Sequence, residues 1–285
     1  RLGRGGSIVV RHQDSNAEEL YSMVSADEYY NDAFITAEDA MVEADGNTLL
    51  VVVDTNRPQY VESQALLESV NKVAVIDHHR RAAEYIESAV LNFHEPYASS
   101  TCELVAELLQ YQVETGQLKR CESQALLAGI VLDSKNFTIK TGVRTFEAAA
   151  FLRRAGADTI EVKRLLQNDL ETYVHRAEIV KTAKIYKARI AIAAYSGVSD
   201  RVSAAQAADD LLNITRVQAS FVLYEASDGV IISARSLGNI NVQIILEKLG
   251  GGGHLATAGA QIRGKSMQDV LRELTNAIDS VVEDE

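Results

Sequence analysis

The stretches LLVVVDTNRP (residues 49–58) and VAVIDHHRR (residues 73–81) decide the fold of this chain. Each is a short aliphatic run, apolar at consecutive rather than alternate positions, and each stops abruptly at an Asp. Strands apolar on both faces belong to a sheet covered on both sides, which is the parallel sheet of α/β proteins. Gln64 to Val70, between them, has helical spacing, so the first half reads as strand, helix, strand. Ser100-Thr101-Cys102-Glu103 reads as a capping box opening a helix through Leu104 to Leu109. Glu122 to Asp133 puts Leu126, Leu127, Ile130 and Val131 on one helical face, predicting a helix that delivers Asp133 at its C-terminal end, with a strand as the alternative.

From Asp158 onward, Leu166, Leu170, Tyr173, Ala177 and Val180 recur at steps of three and four, and the spacing predicts one long amphipathic helix joining two domains. Beyond it come a strand over Arg189 to Tyr195, an Ala-rich helix near Ser203 to Leu212, and two strands, Phe221 to Glu225 and Val230 to Ala234. The last two flank a hairpin turn at Ser227-Asp228-Gly229. A helix over Asn241 to Leu249, a glycine run over Gly250 to Gly253, and a final helix capped at Ser266 complete the chain.

At 285 residues with 47% hydrophobic content, the chain is large enough for two domains with their own cores. A net charge of −12 disfavours a long nucleic acid held on a basic surface, while a small phosphate ligand bridged by a metal stays compatible with it. Cys102 and Cys121 are the two cysteines, without a CxxC pair, which fits a reducing cytoplasm and argues against a thiolate zinc site. No apolar run reaches about 18 residues, so no membrane contact is expected of this segment. The chain opens on Arg1-Leu2-Gly3-Arg4 rather than Met, and its natural beginning is expected upstream.

Asp54, Asp77, His78, His79 and Asp133 each end an apolar segment. Carboxylates and imidazoles gathered at strand ends suit a hard divalent ion of the Mn²⁺ or Mg²⁺ type, and two such ions can clamp a phosphate. A lone Asp after a strand is more often a helix cap or turn former than a ligand; singly, Asp54 leaves both readings open and Asp133 leans to capping. Three consecutive titratable groups after Val-Ala-Val-Ile have no packing purpose, so Asp77-His78-His79 points to function. His12, His94 and His175 sit in ordinary polar contexts and are read as surface or capping histidines. Arg80 and Arg81 are read as phosphate contacts or as solvated side chains, and Ser99 and Ser100 as hydroxyls at a helix N-terminus, with capping sufficient for Ser100. In the second half, Gly250 to Gly253 followed by His254 carries more glycine than a helix cap needs. Close approach of backbone N–H groups to a phosphate or base would account for the excess, with Arg235 and Ser236 within reach of the same ligand.

With these residues the chain resembles the DHH/DHHA1 phosphoesterase superfamily, which takes its name from the triplet found here as Asp77-His78-His79. Asp54 in DTNRP, the triplet in VIDHHRR, Asp133 in IVLDS and the late GGGH stand in the family order. EPYASST (95–101) and ISARSLGNINVQIILEKLGGGGH (232–254) are similar to the cyclic-di-AMP phosphodiesterases of the GdpP type. The resemblance implies an α/β fold in which a parallel-sheet DHH domain (1–157) is joined by a long helix (158–186) to a smaller DHHA1 domain (187–285) with a mixed sheet and a ligand cleft between the domains. It implies hydrolysis of cyclic di-AMP to pApA by a hydroxide activated by two Mn²⁺ ions, with Mg²⁺ as the alternative. By the same carry-over Asp54 bridges two metals, His78 and Asp133 bind one of them, His79 lies near the phosphate and Asp77 supports from behind. Arg235, Ser236, Gly252, Gly253 and His254 contact nucleotide. The family's opening His-x-x-x-Asp-x-Asp motif has no match here, His12-Gln13-Asp14 not fitting it, so the 285 residues alone are expected to be inactive or impaired. Rival readings are a nanoRNase or pAp phosphatase of the same superfamily and a nucleotide-binding module without catalysis. The resemblance also implies a homodimer and a cytoplasmic location, the whole protein being anchored to the membrane upstream.

Overall fold

The computed structural model describes residues 5–10, 17–81 and 83–282. His12 lies outside the described residues. The chain divides into two compact units, Arg1–Gln167 and Asn168–Glu285. Among the described residues no helix is long and apolar enough to cross a membrane.

The first unit begins with β1 (Ile8–Val9), α1 (Glu18–Ser25), β2 (Phe34–Ile35) and α2 (Ala37–Glu43), with β1 and β2 forming a small parallel pair. Next come β3 (Leu49–Val53), α3 (Gln64–Ser69), β4 (Lys72–Asp77) and β5 (Leu91–His94), which form a parallel sheet in the order β3-β4-β5. The central strand β4 is buried from Val73 to Asp77, as its unbroken apolar run requires. α4 (Thr101–Gln112), α5 (Arg120–Asp133), α6 (Val143–Arg154) and α7 (Thr159–Leu165) follow. α4 packs onto the sheet through Leu104, which is buried with Ile76 and Ala98. α4, α5 and α6 share a second core around Ala106, Leu127, Ile130, Ala148 and Leu152. α4 and α5 touch very closely: a Cβ placed on Gly129 would lie 2.3 Å from the Cys102 sulfur.

Asp133 ends α5, so the helix predicted over Glu122 to Asp133 forms and the strand alternative does not. Directly after it, Lys135, Asn136 and Phe137 all take left-handed backbone angles (φ 49°, 56° and 61°). The turn is held by N–H donors from Phe137 to Ser134 Oγ and from Thr138 and Ile139 to the Ser134 carbonyl.

The single connecting helix expected over 158–186 is not formed. α7 stops at Leu165, and α8 (Leu170–Lys181) starts afresh behind Asp169, whose side chain accepts from the Thr172 N–H. An Asp with its carboxylate on an N–H two or three residues ahead favours a new helix start over continuation. The apolar stripe that suggested continuity is broken too: Leu166 packs on the core of the first unit and Val180 on that of the second, while Leu170 between them is 77% and Tyr173 57% exposed.

In the second unit β6 (Lys184–Tyr186), β7 (Ile190–Val198), α9 (Arg201–Leu211), β8 (Ala219–Ala226), β9 (Gly229–Ser236), α10 (Val242–Glu247), β10 (Gly252–His254), β11 (Thr257–Arg263) and α11 (Met267–Asp279) build a mixed sheet ordered β10-β11-β9-β8-β7-β6. Only β7 and β8 pair in parallel. Ile190, Ile192, Phe221 and Leu223 face α10 and α11, while Ala191, Ala193, Val222 and Tyr224 face α8 and α9. The hairpin joins β8 to β9 at Ala226↔Gly229. A side chain on Gly229 would meet the Ile262 carbonyl at 2.0 Å, so this glycine serves strand packing as well as the turn.

Candidate metal centre and glycine turn

Because β3 and β4 run parallel and adjacent, the residues after them reach one rim, where open α/β sheets present ligand sites. The Asp54 N–H continues the ladder to the Ile76 carbonyl at 3.0 Å, and the chain then turns with Asp54 itself left-handed at φ 64°. Asp tolerates that region better than most residues. The turn leaves the Asp54 side chain 57% exposed, with Oδ1 accepting from Thr101 Oγ1 at 2.8 Å.

His78 is buried beneath it. Its Nδ1 lies 3.3 Å from the Ala98 carbonyl, which can only accept, so Nδ1 is the donor and in the neutral tautomer Nε2 is left with the lone pair. Nε2 faces Asp54 Oδ1 at 3.6 Å and Asp133 Oδ2 at 3.7 Å. In that tautomer Nε2 is an acceptor facing two carboxylates, an arrangement that a proton or a cation on Nε2 would relieve. Donors held about 2.1 Å from one divalent ion at tetrahedral or octahedral angles lie roughly 3.0–3.5 Å apart, close to the two distances that His78 Nε2 makes. Burial first, and then the Asp54 carboxylate, push the Asp133 carboxyl above its ordinary value, against the pull of His78, His79 and Lys140.

Asp77 is fully buried, and both its oxygens are taken. Oδ1 accepts from His79 Nδ1 at 2.8 Å and from the His79 N–H at 3.1 Å, and Oδ2 accepts from Asn56 Nδ2. Burial works to raise the Asp77 carboxyl, but these hydrogen bonds outweigh it and hold it below the usual range. The Asp77 hydrogen bond in turn raises His79 against the effect of burial, favouring its imidazolium. His79 is half exposed with Nε2 outside that bond, and His94 donates from Nε2 to the His79 carbonyl.

Asp54, His78 and His79 form a group whose candidate ligand atoms all lie within 4.8 Å of one another, and Asp133 adjoins it through His78. Carboxylate oxygens with one neutral imidazole nitrogen fit a hard divalent cation. The neighbouring thiol adds no ligand: burial pushes Cys102 up to about 12.

Sequence reasoning missed the partners that orient this cluster: Asn56, Thr101, His94 and the Ala98 carbonyl. Thr101 acts across 47 positions, beyond any local pattern, although EPYASST had marked the segment. Ser99, read as an anion contact, is instead buried and bonded to Glu103 through both its hydroxyl (2.6 Å) and its N–H (3.1 Å). The Arg81 guanidinium lies 4.7 Å from the Tyr85 ring. His175 bonds Ser199 in the second unit.

The second unit gathers Arg235, Ser236 and the glycine turn at one corner of its sheet. Arg235 and His254 are both registered opposite Thr257, from its two sides, and directly opposed residues share a face. The Arg235 guanidinium is steadied by Asp209 at 3.4 Å and by the Ala234 carbonyl at 2.9 Å. Ser236 is buried, its hydroxyl accepting from the Gly238 N–H.

The glycine excess has a different cause from the one expected. Gly250 closes α10 at φ 77°, and the Gly251 N–H returns to the Leu246 carbonyl at 2.9 Å. A Cβ on Gly251 would meet the Gly259 carbonyl at 2.4 Å, and one on Gly253 the Thr257 carbonyl at 2.3 Å. Three of the four are thus demanded by the chain's own packing. Gly252 alone has ordinary backbone angles and open space where a side chain would stand.

Residues 7–130 match the DHH family, N-terminal domain, and residues 188–284 match the DHHA1 domain. The cyclic-di-AMP phosphodiesterase GdpP of Bacillus subtilis is 44% identical over 94% of this chain and 42% of its own length. The chain spans less than half the length of the curated cyclic-di-AMP phosphodiesterases it matches. The bifunctional oligoribonuclease and PAP phosphatase NrnA of Mycoplasma genitalium is 30% identical over 81% of this chain and 74% of its own length. A crystal structure of an exopolyphosphatase-related protein from Bacteroides fragilis shares the fold, with a TM-score of 0.75 at 18% identity over 92% of this chain and 86% of that one. With both of its units matched in order and a relative of similar length at this identity, the chain belongs to the DHH family, its second unit being a DHHA1 domain.

Proposed function

We propose that this chain is the phosphodiesterase part of a metal-dependent hydrolase that opens cyclic di-AMP to pApA. The observation that carries the reading is the His78 ring, tied through Nδ1 to the Ala98 carbonyl so that its lone pair points between the carboxylates of Asp54 and Asp133. Those three residues would hold the divalent ion, Mn²⁺ by the resemblance. A bound divalent ion would lower the pKa of an attacking water and offset charge on the departing oxygen. His79, aimed by Asp77 and with its protonated form favoured by that carboxylate, would donate from Nε2 to a phosphate oxygen. Arg235, Ser236, Gly252, Gly253 and His254 would form the nucleotide-contacting set, Gly252 by offering backbone with no side chain over it and Ser236 by shaping the turn beside Arg235.

The described carboxylates and imidazoles supply ligands for one ion centre. Chemistry that uses two ions needs further donors, so the 285 residues alone are proposed to be impaired, and the whole protein to act as a homodimer held at the cytoplasmic face of a membrane. Mn²⁺-dependent turnover of cyclic di-AMP, pApA and pAp is the test, run on this chain and on a chimera joining it to the rest of the Bacillus subtilis relative. The chimera should consume cyclic di-AMP and accumulate pApA, with this chain far slower. Survival of cyclic di-AMP while pApA or pAp disappears would move the protein to the oligoribonuclease branch, to which the 30% identical NrnA belongs.

A further inference from the structure

We propose that the start of α6 positions the metal centre: Thr145, acting through Glu103 and Ser99, holds the 98–101 segment that orients both His78 and Asp54. The proposal rests on the reading of those two side chains as ion ligands.

The 98–101 segment touches the centre twice. The Ala98 carbonyl accepts from His78 Nδ1 and so selects the tautomer that leaves Nε2 facing the carboxylates. Three residues on, Thr101 Oγ1 donates to Asp54 Oδ1 at 2.8 Å, fixing one carboxylate oxygen. Partners of this kind, one step behind a ligand, commonly change metal affinity by about 10- to 100-fold.

What holds the segment itself is a buried carboxylate. Glu103, 2% exposed, gathers three donors on Oε2: the Ser99 hydroxyl at 2.6 Å, the Ser99 N–H at 3.1 Å and the Thr145 hydroxyl at 2.7 Å. The Glu103 N–H meanwhile donates to Ser100 Oγ at 3.1 Å. The capping box foreseen at the start of α4 is therefore only half closed. Ser100 caps Glu103, but the Glu103 side chain passes over Ser100 and takes Ser99 instead. That displacement converts a helix cap into an anchor for the residue next to Ala98.

Thr145 has one hydroxyl proton, and it goes to Glu103; the same oxygen accepts from the Gly142 N–H at 3.1 Å. Its neighbour Arg144 grips the same stretch of chain at two other points. It is bidentate on Glu107 at 2.6 Å, and it lies 3.7 Å from Glu95 at the beginning of EPYASST. Two adjacent residues of α6 thus hold the segment, and neither touches an ion ligand. They are positioning residues.

The test compares Thr145→Val, which keeps the shape and removes the hydroxyl, with Thr145→Ser, which keeps the hydroxyl. Two readouts are used on folded protein: the His78 tautomer in the metal-free chain, by long-range ¹H–¹⁵N NMR, and Mn²⁺ affinity, by calorimetry. Thr145→Val should show His78 in mixed tautomers and bind Mn²⁺ about tenfold more weakly, with Thr145→Ser at wild-type values in both. Wild-type behaviour of Thr145→Val in both readouts, or equal loss in Thr145→Ser, would overturn the proposal. If Thr145→Val does not fold, Ser99→Ala, which removes only the hydroxyl link to Glu103, is read by the same criteria. Should the wild-type chain take up no Mn²⁺, the ion reading fails, while the tautomer comparison still decides whether Thr145 positions His78.

Discussion

The rim of the first unit and the glycine corner of the second were both marked by unusual composition, and they turn out to be unusual for opposite reasons. At the rim, acceptor atoms converge beyond what the fold needs: the carboxylates of Asp54 and Asp133 both approach His78 Nε2, and Thr101 Oγ1 donates to one oxygen of Asp54. At the corner, most of the oddity is consumed internally, since Gly250, Gly251 and Gly253 answer to a helix end and to the close approach of β11. A cluster that its own fold leaves electrostatically unsatisfied signals a ligand more strongly than a glycine run does, because glycine has several structural uses and convergent acceptors have few.

The largest expected effect falls on the rim. His78→Ala removes the nitrogen shared by both carboxylates, and Mn²⁺ binding by calorimetry should fall by more than the roughly 100-fold limit typical of supporting residues. Retention of wild-type affinity would show that the convergence is accidental.

The corner is sharpened by a pair of variants. Gly253→Ala puts a methyl 2.3 Å from the Thr257 carbonyl at φ 152° and should lower stability by about 1–3 kcal/mol in denaturant melts. Gly252→Ala meets open space, so its melt should match wild type, while affinity for cyclic di-AMP falls by roughly tenfold, or 1.4 kcal/mol. If Gly252→Ala instead binds normally, the corner is packing throughout.

The smallest effect concerns protons. Asp77 raises His79, so in the metal-free chain the His79 imidazolium should persist to higher pH than an ordinary histidine, its stabilising contribution being present at low pH and lost as pH rises through the folded value. Asp77→Asn should bring the His79 titration, followed by NMR, down toward the ordinary range. An unmoved titration would mean that the short Asp77 contact has little electrostatic weight.

Much of the fold was legible because its signals are local. Leu49–Val53 appears as β3 with the bounds its aliphatic run suggested, and Ser63, Ser100, Asn241 and Ser266 all cap helices where a side-chain oxygen precedes a helical pattern. The long connector was misread because a stripe at steps of three and four persists from Leu166 to Leu170, while the competing cap at Asp169 depends on two hydrogen bonds from Thr172 alone. At the rim, the acidic and imidazole residues were legible as types at the ends of apolar runs. Their supports were not, since Ala98 contributes only a carbonyl and Thr101 and Thr145 reach partners 47 and 42 positions away.

The contact between Cys102 and Gly129 carries one further consequence. Cys102 follows Thr101, and Gly129 lies one helical turn, about 6 Å, before Asp133. The two helices that flank the rim thus work as the arms of a caliper whose gap is set by a sulfur atom resting on bare backbone. Any enlargement of that spacer, whether a methyl on the glycine or an oxygen on the sulfur, would part the helices that carry Thr101 and Asp133.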